Sequence, residues 1–493
     1  MVGRCALFLA LGTVASAAVV PAEPVEIGTT PQFFVDDYIV DNRWAVNFQD
    51  GSKELVVRAL HQPKKYEGNP VLLQPGEADL RHVVKPTAGY VNVRRDAETG
   101  LFRMWYQASM LDKTGQRGSY AISYAESTDG MHWTMPNLGL LEWNGTKANN
   151  VVWLGASPGI VDAPESARRG FRYLMIAQDH GGINLLGSPD GIHWDAASST
   201  RLVTMHSDTA NSLVYDPQRR EYVLYCRSKK KFEREIAKAS WETGEPRRIA
   251  RMASRDLWSE WSSQPQNILI PDELDAQASF TAFYGMTAQL YGGIYWGFIE
   301  QFKWNTDIQS ELAFSRDGID FDRLPTRPRL IPLGRDGTWD DGMILVGNWV
   351  EVGDEWWIYY SGNDGPHGAE ENRRLGQARR GCIGLAKLPK ERFISLRGPE
   401  HGGVVATRDI RWPGGSLVIN GSARDGVIRV RVVDENRQPI TGFGYEDCTA
   451  FTGDELNHRV QWTKTKMESL QGRAVRLEFF LQKADLFTFR AGN

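Results

Sequence analysis

The chain has 493 residues, with 57 Lys+Arg against 61 Asp+Glu and a formal net charge of −4 at pH 7. That balance, with 41% hydrophobic and 24% charged residues, excludes long disorder, a collagen-like repeat and a molecule-wide surface for nucleic acid or anionic membranes. The length exceeds the ~250–300 residues at which a single core stops growing, so two folding units are expected; 49 Gly and 17 Trp favour an all-β protein of short strands, tight turns and packed rings.

Arg4 precedes an apolar run from Cys5 to Ala18, and Ala15-Ser16-Ala17 supplies small residues for cleavage. Residues 1–20 therefore read as a signal peptide, which implies a secreted or periplasmic protein. The run is shorter than the ~18–20 residues that cross a bilayer, so no membrane span is expected. Phe33-Phe34-Val35-Asp36-Asp37-Tyr38-Ile39-Val40 follows as a strand without a partner of its own. Cys226, Cys382 and Cys448 are widely spaced and odd in number, which suggests buried thiols rather than a disulfide framework or a zinc site; no metal or other cofactor is expected.

A repeat then organises the chain. Ser127-Thr128-Asp129-Gly130-Met131-His132-Trp133, Ser188-Pro189-Asp190-Gly191-Ile192-His193-Trp194 and Ser315-Arg316-Asp317-Gly318-Ile319-Asp320-Phe321 are copies of one heptamer, and Ser254-Arg255-Asp256 is a degenerate fourth. The aspartates stand 61, 66 and 61 residues apart, a spacing that suits a propeller blade. Asp-Gly marks a tight turn after an alternating strand such as 120–125. A second ladder of apolar strands, 102–107, 173–178, 222–227, 295–300 and 356–361, raises the count to five units. Each is preceded by another strand candidate, at 88–93, 150–154, 212–215, 282–290 and 343–352.

Five four-stranded units predict a five-bladed β-propeller over residues 30–390, its fifth blade completed by the spare strand 33–40. Beyond Leu388-Pro389 the repeat stops. The short strands and glycine-rich turns of 393–493 predict a C-terminal β-sandwich.

In such a blade the start of the first strand and the loop after the second share one face, and the Asp-Gly turns occupy the other. The turns are therefore structural, and they resemble the Asp-box of sialidases with one residue fewer between Asp and Gly. Aligned at the ends of the second strands stand Gln107, Gln178, Arg227, Glu300 and Ser361, among which Glu300 is the only acid. Acids gathered near an axis shift one another's pKa, as acid/base work at a glycosidic bond requires. The expected general acid is Glu300, with Glu311 as its competitor; the expected base or nucleophile is Asp208, with Asp340 next. His82, Lys85, Asp179, Arg227, Trp304, Asp341 and His367 are the expected substrate contacts, with Trp304 and Trp339 able to stack on sugar rings. For any one acid, capping a turn or pairing with Arg is the competing role. Basic residues in the loops of units three and five read either as a solvated surface or as attraction for an anionic glycan.

The heptamers, Asn69-Pro70-Val71-Leu72 and the two-part layout resemble the five-bladed propeller glycoside hydrolases of families 32, 43 and 68. Phe34-Val35-Asp36-Asp37-Tyr38, Glu311 to Gly318 and Trp339-Asp340 resemble secreted bacterial family 32-like proteins. The resemblance implies a hydrolase acting on an oligo- or polysaccharide. The Asn-Asp-Pro-Asn-Gly, Arg-Asp-Pro and Glu-Cys motifs of family 32 are absent, and His82-Val83-Val84-Lys85-Pro86 opens the first unit instead, so fructan cleavage is not implied. A non-catalytic glycan-binding propeller and a phosphorylase-like enzyme remain alternatives, the latter through Lys85 and Arg227. Retention or inversion would follow from a carboxyl separation of ~5–5.5 Å or ~6.5–9.5 Å.

Overall fold

The computed structural model describes residues 23–45, 55–72, 84–86, 89–112, 117–228, 247–262, 264–280, 282–303, 306–368 and 381–492. The expected signal peptide, His82 and Trp304 lie outside them, and Lys85 is described only as backbone. The protein is nearly all β, with six sheets among the described residues.

The repeated segments form antiparallel units of one pattern. In the first, Asn92–Arg95 and Val84–Pro86 both pair along one edge of Phe102–Leu111, and Arg117–Ser127 and then Val151–Leu154 follow on the other. The second runs Ala156–Val161, Tyr173–Asp179, Gly182–Ser188, Asp195–Val203, and the third Ser212–Asp216, Glu221–Ser228, Arg248–Ser254, Gln266–Leu269. The fourth (Ala282–Tyr291, Ile294–Phe302, Ile308–Ser315, Asp322–Arg323) and fifth (Met343–Val352, Glu355–Asn363, Gly381–Pro389, Lys64–Lys65) are joined by one parallel pairing, Ile308 with Met343.

Apolar clusters lie between successive units. Trp105 and Met175 meet between one and two, Ile176 and Leu224 between two and three, Tyr225 and Tyr295 between three and four, and Trp296 and Trp356 between four and five. Tyr106 and Tyr359 share a cluster between five and one.

Each Asp-Gly turn is built identically. Asp190 Oδ1 accepts the amides of Ile192 and His193 at 2.9 and 2.8 Å, and Ser188 Oγ accepts that of Gly191 at 2.8 Å. Gly191 has φ +80°, which favours glycine. The turn's carbonyl then docks on the neighbouring unit: Trp105 Nε1 donates to Gly191 O at 2.7 Å, Tyr359 OH to Gly130 O at 2.8 Å, and Tyr225 OH to Gly318 O at 2.9 Å. The heptamers therefore join units as well as turning strands.

Two expectations are corrected. Val151–Leu154, read as the first strand of unit two, pairs with Arg117–Ser127 and closes unit one. The inner strand of unit two is Ala156–Val161, whose Pro158 and Gly159 obscured it; its register slips between Ala156 and Gly159, which sets Ser157 and Pro158 in a bulge and Gly159 opposite Ile176. The segment 33–40 does not complete the fifth unit. Gln32–Phe33 pairs with Asp485–Gly492, Val40–Ala45 pairs with Gly403–Thr407, and Lys64–Lys65 supplies the outer strand of unit five.

The strands of 394–492 make two further sheets, each extended by N-terminal strands: Val25–Glu26 and Val40–Ala45 in one, Gln32–Phe33 and Val57–Leu60 in the other. The two sheets share one apolar cluster, including Phe34, Val405, Trp412, Ile419, Phe479 and Phe489.

Candidate functional site

The second-strand ends keep the register read from the sequence, and Gln107, Gln178, Arg227, Glu300 and Ser361 are all buried. Three of them reach across to neighbouring backbone or to a loop acid. Gln107 Oε1 accepts the amide of Ser157 at 2.7 Å, Gln178 Oε1 accepts that of Ser207 at 3.0 Å, and Arg227 Nη1 binds Asp208 Oδ1 at 2.5 Å. Ser361 Oγ and Glu300 do not: Glu300 is 1% exposed, and neither of its carboxyl oxygens has a hydrogen-bond partner. Burial alone pushes it up to about 8, so it holds its proton at neutral pH.

A bulge explains how the strand accommodates it. The register of Ala282–Tyr291 slips between Phe283 and Met286, which sets Tyr284 and Gly285 opposite Glu300. A Cβ on Gly285 would stand 2.6 Å from Glu300 Oε2 and 3.0 Å from Ala210 N, so only glycine leaves room for the carboxyl.

Asp208 lies on a short loop fixed from both ends. Ser207 Oγ donates to Asn211 Oδ1 at 2.7 Å, Asn211 Nδ2 donates to Ser207 O at 2.9 Å, and Arg227 N donates to Ser207 Oγ at 3.0 Å. The Asp208 side chain is 41% exposed, with His206 Nε2 3.5 Å from its Oδ2. Tyr90 and Tyr284 bring the two acids into one electrostatic neighbourhood, since burial raises both phenols and the charges of Glu300 and Asp208 raise them further. Tyr90 OH also donates to Asp208 O at 3.5 Å. Tyr284 OH faces His367 Nε2 at 3.1 Å, while Arg247 lies over the Tyr284 ring at 4.5 Å.

The other candidate acids have cationic partners. Asp340 accepts from Lys65 Nζ at 2.6 Å, Tyr360 OH at 3.2 Å and Thr338 Oγ1 at 3.2 Å, and Trp339 stacks on Tyr360 as part of the packing. Glu311 binds Arg323 through both oxygens at 2.9 and 2.7 Å, in a buried network with Asp275, which Arg323 also grips at 2.6 and 2.7 Å. Burial raises Glu311, although Arg323 opposes the shift. Asp179 caps a turn through the amides of Gly181 and Gly182 and pairs with Arg201; Asp341 caps another through those of Gly337 and Gly365. The arrangement thus brings together Glu300, Asp208, Arg227 and His367, and gives Asp340, Glu311, Asp179 and Asp341 other partners.

Tyr90 and Tyr284 were not singled out from the sequence, and Arg247 stood there only as one of the basic residues in the loops of unit three. For Tyr284 a signal existed: Gly285 interrupts an apolar strand, as a bulge beside a functional group does. Tyr90, at φ +64°, carried none before its backbone was seen. It also borders a cavity of about 140 Å³ lined by Asn92, Asn211, Gln289 and Asn348. Among the described residues no group of three or more His, Cys, Asp or Glu side chains is arranged to hold a metal ion.

No protein-family model matches the chain, and no curated protein does. Among solved structures it is similar to a glycoside hydrolase at 12% identity, covering 64% of this chain and 92% of that one, with a TM-score of 0.38. It is similar to a family 43 β-xylosidase/α-arabinofuranosidase from a compost microbial metagenome at 12% identity, over 67% and 95% of the two chains, TM-score 0.36. An exo-β-1,3-galactanase from Phanerochaete chrysosporium matches at 11% identity over 85% and 99%, TM-score 0.34. These three structural neighbours are all glycoside hydrolases by description.

Proposed function

We propose that the chain is a secreted glycoside hydrolase in which Glu300 is the general acid and Asp208 the base or nucleophile. Glu300 carries the proposal: it is a buried carboxyl raised to about 8 with both oxygens unpaired, a proton donor whose hydrogen-bonding capacity is still unspent. Asp208 is its complement, a half-exposed carboxylate held by Arg227. Two carboxyl groups in such unlike environments divide the work of glycosidic cleavage. Glu300 gives its proton to the leaving oxygen as the bond to the anomeric carbon breaks, and Asp208 either attacks that carbon or takes a proton from the attacking water.

The fold we assign to this activity is a five-bladed β-propeller over 30–390 followed by a β-sandwich over 393–493, the N-terminal strands being lent to the sandwich. The cyclic succession of apolar clusters between the five units supports the ring. The cluster shared by the last two sheets supports the sandwich.

The test is release of reducing sugar from a panel of oligo- and polysaccharides. Glu300→Gln and Asp208→Asn should each lower turnover by at least ~10²-fold with the melting temperature retained. Full activity in both variants would refute the assignment. Loss of Glu300's proton should lower kcat/KM as pH rises through about 8. Export is tested separately, by fusing residues 1–22 to a reporter and assaying the medium and periplasm.

A further inference from the structure

We infer that this site takes an anionic sugar and that Arg247 holds its carboxylate or sulfate group. The inference relies on the hydrolase reading for the kind of substrate, but its ground is a different residue. Arg247 directly precedes the strand Arg248–Ser254, and its carbonyl accepts the amide of Phe283 at 3.0 Å, which ties it to the strand that bulges opposite Glu300. Its guanidinium lies over the rings of Tyr284 and Phe302, at 4.5 and 5.4 Å.

What distinguishes Arg247 is the lack of an anion among the described residues. Arg227 has Asp208, Arg251 has Glu221 at 2.6 Å, Arg323 has Asp275 and Glu311, and Arg392 has Asp454 at 2.5 Å. Among the described residues no carboxylate pairs with Arg247, and its Nη1 is buried without a hydrogen bond. Removing a guanidinium from water without an anion is costly, and the cost is recovered when a carboxylate or sulfate accepts its fork of donors. The two ring contacts offset part of the cost, and they hold the planar group in one orientation while it waits.

Its position connects this cation to the cleavage centre. Tyr284, the ring beneath Arg247, is one of the two residues set opposite Glu300, and its hydroxyl faces His367 Nε2 at 3.1 Å. The two acids whose charges reach Tyr284 do not compete for Arg247: Asp208 is bound by Arg227, and Glu300 keeps its proton at neutral pH. A neutral sugar would offer Nη1 only an uncharged hydroxyl oxygen, whereas a uronate or a sulfated sugar would supply a charged acceptor able to take the guanidinium fork.

The experiment measures affinity in the full-length Glu300→Gln chain, whose turnover is expected to fall at least ~10²-fold, with the probes checked for cleavage after each measurement. The probes are oligogalacturonides, sulfated galacto-oligosaccharides and neutral galacto-oligosaccharides of equal length. At least one acidic set should bind about tenfold or more tightly than the neutral set, and whichever does so identifies the anion. That ratio should fall toward one when Arg247→Met is added, and partway with Arg247→Lys, which keeps the charge but loses the fork. It should also shrink as KCl rises from about 50 to about 500 mM. Equal affinity for acidic and neutral sets, no binding of either acidic set, or a ratio unchanged in Arg247→Met at normal melting temperature would overturn the inference. If Arg247→Met fails to fold, the Arg247→Lys ratio decides. Failure of the hydrolase reading is separate, since it appears as absent product with the wild-type chain, whatever the affinities.

Discussion

Glu300 binds its proton more tightly in the folded chain than an unfolded glutamate does near ~4.3, because burial lifts it to about 8. Between those values the native state carries the extra proton, so its contribution to stability is complete below ~4.3 and is lost as pH rises through about 8. The alkaline loss is about 4–5 kcal/mol. Glu300→Gln has no proton to lose, so its urea midpoint should be nearly flat between about pH 5 and 9 where that of the wild type falls. Parallel slopes would show that some other group governs the alkaline limb. Glu300 was legible from the sequence because the register of repeated strands isolates it as the one acid among five equivalent positions. What separates it from Asp340 and Glu311 was not legible. Asp340 is paired by Lys65, 275 residues away, and the Arg323 beside Glu311 is drawn there by the hairpin that pairs Ile308–Ser315 with Asp322–Arg323, while Asp275 comes from the short helix Glu273–Gln277. A sequence displays acids and cations, but pairing is decided by which strand edges meet.

The Asp-Gly turn and the bulge are the elements that the site depends on. Asp190 is lowered to about 2: burial alone would raise it, but the amides of His193 and Ile192 and the His193 ring more than compensate. The turn's contribution is therefore present above ~4 and is lost as pH falls toward about 2. Asp190→Ala should cost about 1–2 kcal/mol at neutral pH, checked by urea denaturation. Trp105→Phe should cost more, about 2–4 kcal/mol, because it leaves the buried Gly191 carbonyl without its donor and opens space between two units. The bulge predicts a loss of function instead. Gly285→Ala places a methyl 2.6 Å from Glu300 Oε2, so the carboxyl must move, and turnover should fall at least ~10-fold while the melting temperature changes little. The turns were visible because Asp-Gly is local chemistry. The inner strand at Ala156–Val161 was hidden by Pro158 and Gly159, which argue against a strand except at an edge or a bulge; Pro158 here has both, a bulge in an edge strand.

For the whole molecule, the N-terminal segment is what ties the last two sheets to the five units. The sequence suggested a spare strand near residue 35, and the pairing shows it divided: Gln32–Phe33 in one C-terminal sheet and Val40–Ala45 in the other. Its alternation revealed a strand, but choosing an edge depends on packing, and Phe33 and Phe34 point to different cores. Phe34 is buried in the cluster shared by the two C-terminal sheets, at 6.0 Å from the Phe479 ring. Phe33 is 2% exposed and meets Trp296 of unit four edge-on at 5.1 Å, within the cluster that also holds Trp356 and Phe393. Removing that ring cuts a contact made by three parts of the chain at once, so Phe33→Ala should cost about 3–5 kcal/mol. Because the same cluster serves units four and five and the start of the C-terminal sheets, the loss should lower both parts together as one calorimetric transition. Two separated transitions in the variant, with the upper one unmoved, would show that Phe33 steadies only the C-terminal sheets and that the five units stand without it.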